Sequence, residues 1–340
     1  MVDLERPMPP HHDGTTPRSA PPEMGPTLDP ALVERVTSSI LSEPLTTHLG
    51  QAALPDKALV SEMVERLREL VFPGFFGRRG LKAQGLALHV QDLLARIAIL
   101  VEEQVGSSLR YTTDLGPFRE DTPQSLEAER RARAIARRFL DQIPELRRLL
   151  ALDVQAAYDG DPAACHTDET IFCYPGIDAI FSHRVASVLY REGVPLLPRI
   201  IQEMAHSRSG IDIHPGATVG ESFFIDHGGG VVIGETTEIG NHVRVYQGVT
   251  LGAKSFERDD RGRLLRGGAK RHPTIGNRVT IYAGAVILGG ATTIGDDCVI
   301  SGSVFVTESV PPGHVVRQNR PELALRSHAP KRDRLVEGGG

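Results

Sequence analysis

Residues 211–254 read IDIHPGATVGESFFIDHGGGVVIGETTEIGNHVRVYQGVTLGAK, and residues 270–290 resume with KRHPTIGNRVTIYAGAVILGG. Apolar, mostly β-branched residues recur here every six positions: Ile213, Val219, Ile225, then Ile233, Ile239, Val245, Leu251, then Ile275, Ile281, Ile287, and onward Ile294, Ile300, Val306. A helix would need a recurrence near 3.6 and a half-buried strand one near 2. A period of six fits three short strands per coil of a parallel β-solenoid, with the apolar residue pointing into the shaft. Gly follows the apolar position at Val219, Ile233, Ile239, Leu251, Ile275 and Ile294. Four residues after the apolar position stands a small or β-branched residue, as at Ala217, Thr237, Val243, Val279, Ala285 and Ala291.

Three steps break the period. From Ile225 to Ile233 the step is eight residues and contains DHGGG. From Leu251 to Ile275 it contains the polar excursion AKSFERDDRGRLLRGGAKRHP, which cannot lie inside a shaft. The step from Ile287 to Ile294 adds one residue without obvious chemistry. Loops thrown out of a rigid frame are where function concentrates.

Upstream the period is helical. Leu59, Met63, Leu67, Leu70 and Val71 mark one apolar stripe, and Ala132, Ile135, Ala136, Phe139, Ile143, Leu146 and Leu150 another. Gly and Pro groups at 73–80 and 116–123 separate the segments. The expected fold class is α+β, an N-terminal α-helical domain followed by a left-handed parallel β-helix. The expected domains are a disordered Pro-rich extension over 1–30, helices over 31–206, the β-helix over 207–319 and a polar tail over 320–340.

The chain has 340 residues, 24% of them charged, with a net charge of −5 and no block of one sign, so a general nucleic-acid binder is not expected. Three cysteines, Cys165, Cys173 and Cys298, form no CxxC pair, which suits a reduced, cytoplasmic protein. No apolar run in the sequence reaches the roughly 18–20 residues that a membrane span needs. The first thirty residues hold eight prolines and no apolar h-region, so they read as neither signal peptide nor core.

Among thirteen histidines, two stand in suggestive places. His227 follows Asp226 inside the DHGGG step, beside glycines that permit close approach. Asp212 lies fifteen residues earlier, close to one coil of about eighteen, so the two could meet between neighbouring coils. A carboxylate behind an imidazole fixes its tautomer and makes a general base near neutral pH. Arg271 and His272, where the polar loop returns, suit a substrate carboxylate. His183 and the other helical-half histidines (His48, His89, His166, His206) read as surface or hydrogen-bonded structural groups. Zinc held between solenoid subunits would need three converging imidazoles, and His214, His227, His242 and His272 include no short His-x4-His pair, so no metal is expected. Gly228–Gly230 lack the pattern and following helix of a phosphate cradle.

The elements DIHP, IDHGGGVVIGET, QGVTLG and RHP, in this order, resemble the serine O-acetyltransferases of bacteria and plants. The similarity extends to DPAA at 161–164 and YPGIDAIFSHRVASVLY at 174–190, covering roughly residues 155–312. It implies a transfer of acetyl from acetyl-CoA, as co-substrate, to the hydroxyl of L-serine, in cysteine biosynthesis. His227 would be the catalytic base and Asp212 its partner. Asp161 and Asp226 would bind the serine amino group, and Arg271 and His272 its carboxylate. Gly252, Ala253, Ala283 and Gly284 would line the pantetheine arm of the donor. The resemblance also implies a homotrimer with sites between neighbouring shafts, the pairing of two trimers into a hexamer through the helical domains, and inhibition by cysteine. A sugar or homoserine as acceptor, or another acyl donor, is the alternative. Two departures stand out: the loop 254–270 is longer than the family's usual one, and VVRQNRPEL replaces its G-x-P-A element. Many members end in an isoleucine that docks in O-acetylserine sulfhydrylase; this chain ends VEGGG, so that complex is not expected.

Overall fold

The computed structural model describes residues 28–49, 54–113, 122–255, 259–264 and 269–319. The expected extension up to 27, the tail from 320 and parts of the polar loop (256–258, 265–268) lie outside the described residues. The chain divides into two compact units, Met1–Gly50 and Gln51–Gly340. In the first, helix α1 (Pro30–Ser42) starts where the Asp29 carboxylate accepts the Ala31 N–H at 3.0 Å and Pro30 fills the first turn.

The second unit opens with α2 (Lys57–Val71), α3 (Ala83–Thr113), α4 (Pro123–Asp141) and α5 (Ile143–Gly160), followed by α6 (Thr167–Cys173), α7 (Pro175–Arg191) and α8 (Leu197–Ser209). Asp56 caps α2, whose buried face of Val60, Met63, Val64, Leu67, Leu70 and Val71 follows the helical period. The stripe from Ala132 to Leu150 is two helices, not one. Pro144 stands in the first turn of α5, where its missing N–H has no partner to lose, and the chain turns at Gln142. By length and composition α3 is apolar enough over Ala83–Tyr111 to cross a membrane, contrary to the expectation of no such segment, because polar residues interrupt its apolar stretch. Its Leu93, Ile97, Leu100, Val101 and Val105 pack into the core of this unit.

After Gly210, which ends α8 in the left-handed conformation (φ 70°), the chain enters five coils. The first has β1 (Asp212–Ile213), β2 (Thr218–Val219) and β3 (Phe224–Asp226). The second has β4 (Val232–Ile233), β5 (Glu238–Ile239) and β6 (Arg244–Tyr246), and the third β7 (Thr250–Gly252), β8 (Thr274–Ile275) and β9 (Thr280–Ile281). The fourth has β10 (Val286–Leu288), β11 (Thr293–Ile294) and β12 (Val299–Ile300), and the fifth β13 (Phe305–Val306) and β14 (Val315–Val316). All pairings are parallel and stack like on like: β1-β4-β7-β10-β13 make the first face, β2-β5-β8-β11 the second, β3-β6-β9-β12-β14 the third.

The six-residue period is the shaft. Of its thirteen apolar positions, Val219 is partly buried and the other twelve are buried, each contributing about 1.5–3 kcal/mol. Ala291 is the exception among the small residues: it is exposed, and Thr292 points inward at 3% exposure. The added residue between Ile287 and Ile294 is absorbed at that corner, which shifts the inward position by one.

The corner between the second and third faces is a side-chain ladder. Asn241 Oδ1 accepts the Glu221 N–H at 2.9 Å, Asn277 Oδ1 the Asn241 N–H at 2.9 Å, and Asp296 Oδ1 the Asn277 N–H at 2.8 Å. The helices join the first coil through a buried ion pair. Arg184 Nε lies 2.6 Å from Asp153 Oδ2, Arg184 Nη2 donates to Gly220 O at 2.8 Å, and the Phe223 N–H donates to Asp153 Oδ1 at 3.0 Å.

Candidate active site

The two informative breaks fall on the two remaining corners. DHGGG turns the third face into the first; the polar loop turns the first into the second.

At the DHGGG corner, β3 delivers Asp226 and the chain turns onto the first face. His227 adopts φ 58°, a costly conformation for a residue with a side chain, and its imidazole is 73% exposed. Its Nε2 lies 3.8 Å from Asp226 Oδ1. The loop before α6 brings in Asp161, whose Oδ2 accepts the Tyr174 hydroxyl and whose Oδ1 accepts the Ala163 N–H at 2.8 Å. The Tyr174 bond, then the Ala163 N–H, hold the Asp161 carboxyl below the usual carboxylate range, and His227 is near enough to add to this. Asp161, Asp226 and His227 therefore gather at one corner.

Asp212 lies on the first face directly beneath Val232, and Gly228 packs on the neighbouring Ile211 side chain. No hydrogen bond joins Asp212 to His227, and Asp212 Oδ1 is buried without a hydrogen-bond partner. Its carboxylate lies with Glu203 and His206 of α8, their ligand atoms within 4.8 Å of one another. Among the described residues this is the one group whose composition could hold a metal. Glu203 is exposed and already bonded by Arg199, so we read it as a polar cluster.

At the other corner Arg271 bonds Glu235, which also accepts the Tyr190 hydroxyl at 2.5 Å. Burial pushes the Glu235 carboxyl up, but the Tyr190 and Arg271 bonds together outweigh it and hold the group below its usual range. His272 is 8% exposed, its ring seated on Gly234. Its Nδ1 accepts the Thr236 N–H at 3.1 Å, which leaves the ring proton on Nε2. Burial, then Arg271, lower its pKa to about 4, so the ring is a neutral donor at neutral pH. Gly252 ends β7 at this corner and Ala253 follows it, where the polar loop departs; Ala283 and Gly284 lie two coils above His227 at the first corner.

Of the side chains expected from sequence, Asp161, Asp226 and His227 form one cluster and Arg271 and His272 another, while Asp212 stands with Glu203 and His206, bonded to neither. Tyr174 and Tyr190 lie sixteen residues apart along α7, about 24 Å at 1.5 Å rise per residue, which is far longer than an amino acid. Sequence reasoning missed Tyr174, Tyr190, Glu235 and Thr236; Glu235 and Thr236 stand in the GET triplet after Ile233, but nothing in their spacing pointed to Arg271. His183 also differs from expectation. It is 2% exposed with Nδ1 unpartnered, and burial, then Arg184, lower its pKa to about 3.

A hexapeptide-repeat β-helix whose interruptions present His227, Arg271 and His272, with Asp226 of β3 and Asp161 of the helical half beside His227, belongs to the acyltransferase class of this fold, and the helix is left-handed as expected. No family model matches the chain. It is 44% identical over 308 residues to a plasmid-encoded serine acetyltransferase of Synechococcus elongatus, covering 89% of this chain and 92% of that protein. Among solved structures it is similar to serine acetyltransferase 1 of Entamoeba histolytica, with TM-score 0.64 and 32% identity over 85% of this chain and 97% of that one. Isoform 3 of the same organism, solved in complex with cysteine, gives TM-score 0.63 and 33% identity over 87% and 96%. The chain belongs to the serine acetyltransferase family.

Proposed function

We propose that this chain transfers the acetyl group of acetyl-CoA to the hydroxyl of L-serine, with His227 as base. The observation that carries this reading is the convergence of Asp161, Asp226 and the exposed His227 on one corner, matched by a guanidinium and a neutral imidazole N–H on another. Two carboxylates suit an ammonium; Arg271 and the Nε2–H of His272 suit a carboxylate. Serine carries both groups, and homoserine would place its hydroxyl one methylene too far.

In this mechanism His227 removes the hydroxyl proton as the serine oxygen attacks the thioester carbonyl. Asp212, with an oxygen awaiting a donor, would orient the imidazole and stabilise the imidazolium. The tetrahedral adduct collapses by breaking the C–S bond, and the CoA thiolate takes the proton back from His227. The reaction needs no covalent enzyme intermediate, because two bound substrates held in place suffice. Gly252, Ala253, Ala283 and Gly284 would pass the pantetheine arm along the shaft.

Because the two clusters lie too far apart for one serine, the reading requires the DHGGG corner of one chain to face the Arg271 corner of another. A trimer of shafts does this with three equivalent sites. The test is CoA release with serine, homoserine and a sugar alcohol, using His227→Ala and Arg271→Gln chains alone and co-refolded. Each variant alone should lose about a hundredfold or more in activity on serine. Mixed assemblies should regain part of it, since some sites then hold neither substitution. Near-normal turnover by His227→Ala sinks its role as base; no recovery on mixing sinks the shared site.

A further inference from the structure

Tyr174 and Tyr190 stand at the two ends of α7, and each donates a hydrogen bond from its hydroxyl to a carboxylate in a different cluster. Asp161 receives Tyr174 on Oδ2 and the Ala163 N–H on Oδ1. A carboxylate has about four lone-pair positions, so two remain for an ammonium, in a direction fixed by the first two. At the other end Glu235 takes Tyr190 on Oε1 and Arg271 Nη2 on Oε2. Arg271 Nε and Nη1 make no hydrogen bond among the described residues and stay available for an incoming carboxylate.

Both ends of the helix are seated on the shaft. A Cβ at Gly176 would fall 2.4 Å from Ile225 O, so α7 approaches β3 as only glycine allows. The Tyr190 ring meets His214 edge-on, with centroids 5.7 Å apart and planes at 85°. Both hydroxyls keep their protons at working pH: the Asp161 bond raises the Tyr174 pKa well above its usual value, and burial, then Glu235, push Tyr190 up to about 12.

We propose that Tyr174 and Tyr190 are positioning residues for serine recognition, Tyr174 orienting Asp161 toward the ammonium and Tyr190, through Glu235, orienting Arg271 toward the carboxylate. This inference rests on the reading of Asp161 and Arg271 as the two grips on serine. In that arrangement α7 is a strut that sets both grips at once, and in a shared site its two ends serve two different substrate molecules.

The experiment compares kcat/KM for three acceptors in Tyr174→Phe and Tyr190→Phe: L-serine, 3-hydroxypropionate (no ammonium) and L-serinamide (no carboxylate). Tyr174→Phe should lower serine and serinamide about tenfold and leave 3-hydroxypropionate within about twofold. Tyr190→Phe should lower serine and 3-hydroxypropionate about tenfold and leave serinamide within about twofold. A purely structural role would depress all three acceptors alike; that result, or no change in any, overturns the proposal. Both substitutions keep the ring, and unchanged melting temperatures confirm the fold. Asp161→Asn and Arg271→Gln serve as references and should show the same two patterns more deeply. If they do and the tyrosine variants do not, the tyrosine role fails; if the references lack the patterns, the underlying reading of the grips fails.

Discussion

Gly234→Ala should damage serine binding through a residue that touches no substrate. A Cβ at this position would stand 2.1 Å from both Cδ2 and Nε2 of His272. Carbon contacts need about 3.5–4.0 Å, so the ring must withdraw by about 1.5 Å. Nδ1 then leaves the N–H and hydroxyl of Thr236, now at 3.1 and 2.9 Å, and Nε2–H loses its aim. If that donor serves the serine carboxylate, the lost charge-assisted bond is worth about 1.5–3 kcal/mol, roughly 10- to 150-fold in kcat/KM. The bond is made before the transition state as well as in it, so the loss should fall mainly on KM for serine. The assay is steady-state CoA release with serine varied at saturating acetyl-CoA, and with the donor varied at high serine. KM for acetyl-CoA should stay within about threefold. A folded Gly234→Ala enzyme with kcat/KM for serine within about twofold of the parent would refute the role given to His272.

Two further expectations concern stability. His183 has a folded pKa of about 3, below its unfolded value of about 6.5, so the unfolded chain takes the proton first as pH falls. The stability it contributes is present above about pH 6.5 and lost progressively as pH falls toward 3; at pH 5 the loss is about 2 kcal/mol. Urea titrations at pH 7.5 and 5.0 should show a difference smaller by that amount in His183→Asn, and an equal difference would contradict the account. Arg184→Met strands the Asp153 carboxylate in the core and should cost about 3–5 kcal/mol in urea unfolding. Adding Asp153→Leu should restore much of it, whereas additive losses would argue against the ion pair as the cause.

The shaft was legible because every inward position meets the same environment: Ile213, Ile233, Leu251, Ile287 and Val306 are stacked neighbours on one face. Where the count slips, between Ile287 and Ile294, the period could not say which residue the corner absorbs, and Thr292 took the place expected of Ala291. The break at Gln142 was hidden because the apolar period runs through it, although Pro144 marked it. The breaks at DHGGG and before RHP pointed to the site, since a polar or glycine-rich insertion cannot enter the shaft. What was not legible is the layer behind the site. Tyr190 reaches Glu235 only because α7 lies against the first coils, a tertiary placement without periodic signature. The pairing of Asp212 with His227 rests on spacing and resemblance, and in this chain Asp212 faces α8.

The ladder of Asn241, Asn277 and Asp296 runs up the one corner that carries no candidate site residue. It locks the axial rise, so positions along the shaft come in quanta of about 4.8 Å, one coil each. Ala283 and Gly284, two coils above His227, are thus gauged at about 10 Å from it. Excising or duplicating one whole coil would shift that gauge by a full quantum, and because the second coil holds Glu235 and Thr236 against Arg271 and His272 of the third, it would also unseat the Arg271 corner. The shaft behaves as a stepped rule, on which the reach to a bound arm changes in increments and never by degrees.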